Sequence, residues 1–230
     1  VEVVAGVDAY LAQQGAAGPE GVPIYAALSD VPVPFEVIVD ASRAEGVEVV
    51  LPFAIESRRA VVIAATGHDE AQLAAIRAAA TQIPVFLASN LSVGVNVARK
   101  LTEEAGRMLG SVDAEIIETH HRMKVDAPSG TALTLAEALR DATDPERPFV
   151  YGRSPEDHEA RGGEIGIHAV RGGTVVGEHT VRFLMDDEIV EIKHVALSRQ
   201  VFGFGAVRAC EFIAHQAPGL YGMGDVLDAA

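Results

Sequence analysis

The sequence has no tryptophan and one cysteine, Cys210, in 230 residues. A lone thiol excludes an intrachain disulfide framework and fits a reducing compartment, and on composition Cys210 reads as a small core residue of a helix. Basic residues are also scarce: 18 Lys and Arg stand against 33 Asp and Glu, a formal net charge of -15. That balance leaves no cationic stripe for phosphates, so neither nucleic acid nor an anionic membrane is expected as a partner. No apolar run approaches the roughly 18 residues of a bilayer span, and no basic-apolar leader opens the chain, so a cytoplasmic protein is expected. What is present is a globular composition, 49% hydrophobic with 22 glycines, long enough to bury a real core in one large or two small domains.

Short Val- and Ile-rich runs alternate with helical-period segments through the first half, the pattern of βαβ units around a mainly parallel sheet. The expected strands are Val1 to Val7, Phe35 to Val39, Ala60 to Ala64 and Val85 to Ala88. Asp69 and Gln72 have the spacing of a capping box, opening a helix whose apolar face is Leu73, Ile76 and Ala80. A longer helix is expected through Val95, Ala98, Leu101, Ala105, Met108 and Leu109. Beyond it the pattern changes to a strand at Ala114 to His121, a helix at Ala132 to Arg140 and a surface loop at Asp141 to Glu159. Strands Ile165 to Val170, Val175 to Phe183 and Glu188 to Leu197 follow, the first two joined in hairpin fashion across Arg171 to Thr174. A final helix, Val201 to His215, precedes a loosely patterned Gly-rich tail. The fold class is therefore α/β, with a second α+β mixed-sheet domain behind the parallel one.

Chemistry concentrates between Glu118 and Thr131. On a strand, Glu118 and His120 share one face while His121 points to the other, which disfavours a metal site from adjacent histidines. An imidazole with Lys124 nearby suits proton delivery and the holding of a carboxylate. Ser129 and Thr131 offer hydroxyls and Gly130 close backbone approach at a helix start, where N–H groups receive anions; the same residues also serve as an ordinary cap. Together they describe a pocket for a small acidic substrate. Elsewhere, Asp8 ends the first strand, where an acidic residue either binds ribose hydroxyls or forms a turn. Ala64-Ala65-Thr66-Gly67 and Ala88-Ser89-Asn90-Leu91 place small residues at strand ends, as cofactor loops or plain turns do.

E-x-H-H-x-x-K-x-D-A-P-S-G-T, met in full by Glu118 to Thr131, resembles the signature of the dihydrodipicolinate reductase family. The resemblance extends through Val61 to Gly67, Ala88 to Asn96, Gly166 to Gly172, Val176 to Thr180, Ser198-Arg199 and Gly219 to Leu227. It implies a Rossmann-like domain over 1–91 plus 200–230 and a substrate-binding and oligomerisation domain over 92–199, assembled as a homotetramer. It implies NAD(P)H-dependent reduction of a dihydrodipicolinate-type dicarboxylate in lysine and diaminopimelate biosynthesis. His120 would be the general acid and Lys124 its partner, with His121, Lys124, Ser129, Gly130 and Thr131 holding the substrate's carboxylates. Asp8, Ala64, Ala65, Thr66, Ala88, Ser89, Asn90, Leu91 and Arg199 would contact the cofactor, and no metal is implied.

Three departures stand beside the resemblance. The family's N-terminal G-x-x-G-x-x-G segment is missing, so the Rossmann-like sheet is expected to be N-terminally incomplete, consistent with a chain that opens inside a strand pattern. The Gly-Thr-Thr-Gly turn is Ala64-Ala65-Thr66-Gly67. Ala9 follows Asp8 where a basic residue would favour a 2'-phosphate, so the expectation leans to NADH over NADPH. The alternative from another class is a non-catalytic dicarboxylate-binding or regulatory relative without the phosphate loop. A metal-dependent hydrolase using His120, His121 and Asp126 is the weakest reading.

Overall fold

The computed structural model describes residues 1–154 and 160–229. In chain order the N-terminal elements are β1 (Gly6–Val7), α1 (Ala9–Gln13), β2 (Ile24–Tyr25), β3 (Val37–Asp40), α2 (Val47–Ser57), β4 (Ala60–Ile63), α3 (Glu70–Ala79) and β5 (Pro84–Leu87). The middle holds α4 (Val93–Leu109), β6 (Asp113–His120), α5 (Gly130–Thr143), β7 (Phe149–Tyr151), β8 (Ile165–Arg171), β9 (Gly177–Leu184) and β10 (Ile189–Ala196). The chain closes with α6 (Gln200–Ile213), β11 (Gly219–Tyr221) and α7 (Met223–Asp228). Two compact units emerge, the first comprising Val1–Leu91 with Gly203–Ala230 and the second Ser92–Phe202.

The first unit is built on an all-parallel sheet in the order β11-β5-β4-β3. All four residues of β4 are buried, as a central parallel strand covered on both faces requires, and this explains its unbroken apolar run. Val47, Leu51 and Ala54 of α2 and Ile76 and Ala79 of α3 complete its core with Ile38, Ile63 and Val85. The expected capping box forms, Gln72 N–H donating to Asp69 Oδ1 at 2.8 Å and Asp69 N–H to Gln72 Oε1 at 3.1 Å. Cys210 is buried on α6, where burial pushes its thiol pKa up.

Two expectations for this unit need correction. The strand expected over Val1 to Val7 shrinks to Gly6–Val7, whose partner is Ile24–Tyr25 in a separate two-stranded sheet; Val1 and Val3 are exposed. The tail is more ordered than its composition suggests, because Gly219–Tyr221 pairs as an edge strand with β5.

The second unit carries a mixed sheet in the order β10-β9-β6-β8-β7. The expected hairpin between β8 and β9 does not form. β6 lies between them, parallel to β8 and antiparallel to β9, so its backbone groups are satisfied on both sides. The turn after β8 continues that pairing instead, Gly172 N–H donating to His120 O at 3.0 Å and Arg122 N–H to Gly173 O at 3.3 Å. β6 ends at His120, one residue short of the expected strand. The loop expected over Asp141 to Glu159 is interrupted by the end of α5 and by β7, while residues 155–159 lie outside the described residues.

The apolar face expected for α4 is met in part: Val95 and Ala98 are buried, and Ala105 and Leu109 pack against the core of the second unit. Leu101 and Met108 are exposed, and the buried positions are Val95, Ala98, Thr102 and Gly106. Small size selects that face: a Cβ on Gly106 would come within 2.9 Å of Leu139 on α5, so the two helices meet where the side chain is least.

Candidate active site

Along β6 burial alternates strictly, and Ala114, Ile116, Glu118 and His120 all face inward. The first two join Ile165, Ile167, Val181 and Phe183 in a core roofed by Leu135 and Leu139 of α5. Farther along, the same sheet face turns polar. His179 on β9 stands opposite Glu118, His194 on β10 opposite His179, and Arg171 on β8 opposite His120. One strand face thus supplies both a hydrophobic core and, beyond it, a patch of ionisable groups.

Glu118 is fully buried, and each of its carboxylate oxygens carries two partners. Oε1 accepts from Arg171 Nη2 at 2.8 Å and from Ser129 N–H at 3.0 Å. Oε2 accepts from Arg171 Nη1 at 2.8 Å and meets His120 Nδ1 at 2.6 Å. Burial pushes this carboxyl's pKa up, but the hydrogen bonds from Arg171, His120 and Ser129 outweigh it and hold the group below the usual carboxylate range. The guanidinium is raised in return. In a buried ion pair with every lone pair occupied, mutual attraction and hydrogen bonds offset the desolvation penalty, whereas removing one member leaves the other buried and uncompensated.

His179 is 4% exposed. Its Nε2 lies 3.0 Å from Ser129 Oγ, and its ring meets His120 edge-on at a centroid distance of 5.0 Å. Burial, followed by the charge of His120, lowers its pKa to about 4, with Glu118 opposing and His194 and Lys124 adding to the depression. The imidazole is therefore neutral near pH 7. Burial lowers His194 as well, and a Cβ on Gly94 of α4 would stand 2.9 Å from its ring.

Arg171 also reaches the segment after β6, donating from Nη2 to Asp126 O at 2.7 Å. On that segment Lys124 Nζ pairs with Asp126 Oδ1 at 2.8 Å, which lowers the Asp126 pKa. Lys124 is thus held near the histidines, close enough for its charge to be felt at His179. Ser129 caps α5, its Oγ accepting from Ala132 N–H at 3.2 Å, and Gly130 and Thr131 open the helix. His121 leaves the strand and contributes its carbonyl to Lys124 N–H at 3.1 Å. Among the described residues no cluster of His, Cys, Asp or Glu has a metal-holding arrangement.

In the first unit, a cleft of about 390 Å³ opens at the carboxyl ends of β4 and β5, lined by Ala65, Thr66, Gly67, His68, Leu73, Leu87 and Ser89. Gly67 has φ +87°, and nothing stands within 4 Å of where its Cβ would be. Ala64 and Ala65 donate their N–H groups to Asp40 O, and Ala88 donates to Ile63 O. Asn90 and Leu91 follow β5 and close the first segment of this unit. Asp8 caps α1 through Oδ1, which accepts from Leu11 N–H at 2.9 Å. Arg199 is exposed between β10 and α6.

The sequence reading gave no role to Arg171, His179, His194 or His68. Arg171 and His179 could have been found by carrying the alternation of β6 onto its neighbours, because each lies opposite a motif residue. That step needed the strand order, which the false hairpin obscured.

Two family models match the chain, that for the N-terminus of dihydrodipicolinate reductase over residues 1–91 and that for its C-terminus over 94–227. The 4-hydroxy-tetrahydrodipicolinate reductase of Caldanaerobacter subterraneus subsp. tengcongensis is 43% identical over 226 residues, covering 98% of this chain and 88% of the relative. That of Clostridium botulinum is 38% identical over 229 residues, covering 99% and 88%. Among solved structures, the dipicolinate-bound dihydrodipicolinate reductase of Paenisporosarcina sp. TG-14 shares the fold, with a TM-score of 0.76 at 23% identity over 94% of this chain and 83% of that one.

Proposed function

Since the chain belongs to the dihydrodipicolinate reductase family, we propose that it reduces a 4-hydroxy-tetrahydrodipicolinate-type dicarboxylate to tetrahydrodipicolinate, in lysine and diaminopimelate biosynthesis. The observation that carries this reading is the buried Glu118–His120 pair beside Lys124, Ser129 and His179 at the polar end of one sheet face. The second unit is read as the substrate domain and the first as the dinucleotide domain.

The first unit suits a nicotinamide cofactor. Its cleft lies at the carboxyl ends of parallel strands, has Ala, Gly, Ser and Thr on its walls, and offers backbone approach at Gly67. Ala64, Ala65, Thr66, Ala88, Ser89, Asn90 and Leu91 would hold it there, with Asp8 at the ribose. When bound, that group supplies the hydride. Ala9 offers no cation beside Asp8, which favours NADH over NADPH.

The remaining steps belong to the chain's own side chains. Lys124 and the start of α5, with His121, Ser129, Gly130 and Thr131, would receive the substrate's two carboxylates, an ammonium and a helix N-terminus both favouring negative charge. His120 would deliver the proton that completes reduction, and its burial limits the access of competing water to the transfer. In the second unit, exposed Val170, Ile189 and Val195 on the sheet face away from the core support self-association, read as a homotetramer. Among the described residues no helix is long and apolar enough to cross a membrane, in keeping with a cytoplasmic enzyme.

The test is NADH oxidation by the complete gene product with enzymatically generated substrate. Turnover is expected. Failure to turn over, with dicarboxylate binding intact in calorimetry, would favour the non-catalytic relative.

A further inference from the structure

We infer that Glu118, locked by Arg171 and Ser129, is a positioning residue that fixes the tautomer of His120, so that Nε2 is the atom through which this imidazole exchanges protons. The inference deepens the reductase reading and rests on it for its chemical purpose, but its structural content stands on geometry.

An ionised carboxylate only accepts hydrogen bonds. Glu118 is ionised, because Arg171 contacts both of its oxygens and its pKa lies below the ordinary range. The contact of 2.6 Å between Glu118 Oε2 and His120 Nδ1 therefore has the proton on Nδ1. Neutral His120 is then bare at Nε2, and protonated His120 carries its second proton there. The carboxylate cannot turn away: Arg171 takes one position on each oxygen and Ser129 N–H takes another on Oε1. Ala169, opposite Glu118 on β8, is small enough to leave the carboxylate its place.

The surroundings of Nε2 agree. A Cβ added to Gly177 would come within 3.0 Å of that nitrogen, so glycine leaves the approach to it open. His179, the ring packed on His120, is engaged with Ser129 Oγ and stays neutral near pH 7, so it adds no second positive charge beside the proton to be delivered. The charged and titratable groups surrounding His120 are Glu118 on its own strand, Arg171 on β8, His179 on β9, His194 on β10, and Lys124 and Asp126 on the loop after β6. Of these, Glu118 holds the hydrogen bond to Nδ1.

The test reads the imidazole nitrogens directly. Long-range 1H–15N NMR of the histidine-labelled, complete protein, with His120 assigned by its absence in His120→Gln, reports which nitrogen carries the proton in the neutral ring. Wild type is expected as the Nδ1–H tautomer, and a bare Nδ1 would overturn the inference whether or not any variant folds. In Glu118→Gln the carboxamide no longer obliges Nδ1 to donate, so the tautomer becomes mixed and kcat falls at least about tenfold with KM within about twofold. A folded Glu118→Gln with an unchanged tautomer and unchanged kcat would equally overturn it. If wild type shows the Nδ1–H form yet oxidises no NADH, the positioning stands and the reductase reading is what fails.

Discussion

The two units carry their candidate sites in opposite ways. In the second, ionisable side chains on one sheet face are buried and bonded to one another: Glu118 satisfies four donors, and Arg171 ties both the carboxylate and the loop that bears Lys124. In the first, the cleft is lined by Ala65, Thr66, Gly67, Leu73, Leu87 and Ser89 with His68 as the one ionisable side chain among them, so what it offers a ligand is mainly small or apolar side chains, backbone and space. The contrast teaches that a site for moving a proton must fix side chains in place, whereas a site for a flat cofactor must mainly avoid obstructing it. Substitutions should accordingly be severe in the second unit and graded in the first.

The sharpest break is at His120. His120→Gln should lower kcat by about a hundredfold to ten-thousandfold, the range of a lost general acid, with circular dichroism showing an intact fold. A near-normal kcat would remove the proton-delivery role. Next in size, Glu118→Ala leaves the Arg171 guanidinium and Ser129 N–H without their buried acceptor, and should cost about 3–5 kcal/mol in urea unfolding. A loss below about 1 kcal/mol would mean the network contributes no more than a surface ion pair.

Acid sensitivity sharpens the comparison further. His179 titrates near 6.5 when unfolded and about 4 when folded, so the unfolded state binds the extra proton first. Stability is therefore complete above pH 6.5 and is lost as pH falls towards 4, by up to about 3 kcal/mol from this residue. Urea midpoints for wild type and His179→Asn at neutral and mildly acidic pH should show a flatter dependence in the variant; parallel curves would contradict the assigned burial. The smallest effect belongs to the first unit. Gly67→Ala, at φ +87°, should cost about 1 kcal/mol and weaken NADH binding severalfold in a fluorescence titration. An unaltered affinity would detach that turn from the cofactor.

Much of this architecture was legible because local chemistry agreed with it. The capping box at Asp69 and Gln72 has a spacing that marks a helix start, and the short Val- and Ile-rich run of β4 has the length and composition of a buried strand. The motif likewise singled out His120, Lys124 and Ser129 as candidates. Pairing order was not legible. Nothing local in Arg171-Gly172-Gly173-Thr174 says that β6, some fifty residues earlier, separates the strands on either side of it, and with that order hidden His179 and Arg171 had no visible partner. Part of the buried face of α4 was missed for a related reason: Thr102 and Gly106 lie on it beside Val95 and Ala98, and at Gly106 the close approach of α5 selects the residue, which hydrophobicity does not encode.

On the proposed reading, the polar end of the second unit's sheet face receives a small dicarboxylate beside His120. A crystal structure of the complete protein with dipicolinate bound tests it most directly. One carboxylate should lie within hydrogen-bond reach of Lys124 or the first turn of α5, with the ring facing His120 Nε2. A ligand seated elsewhere, or approaching His120 only from the Nδ1 side, would contradict the account.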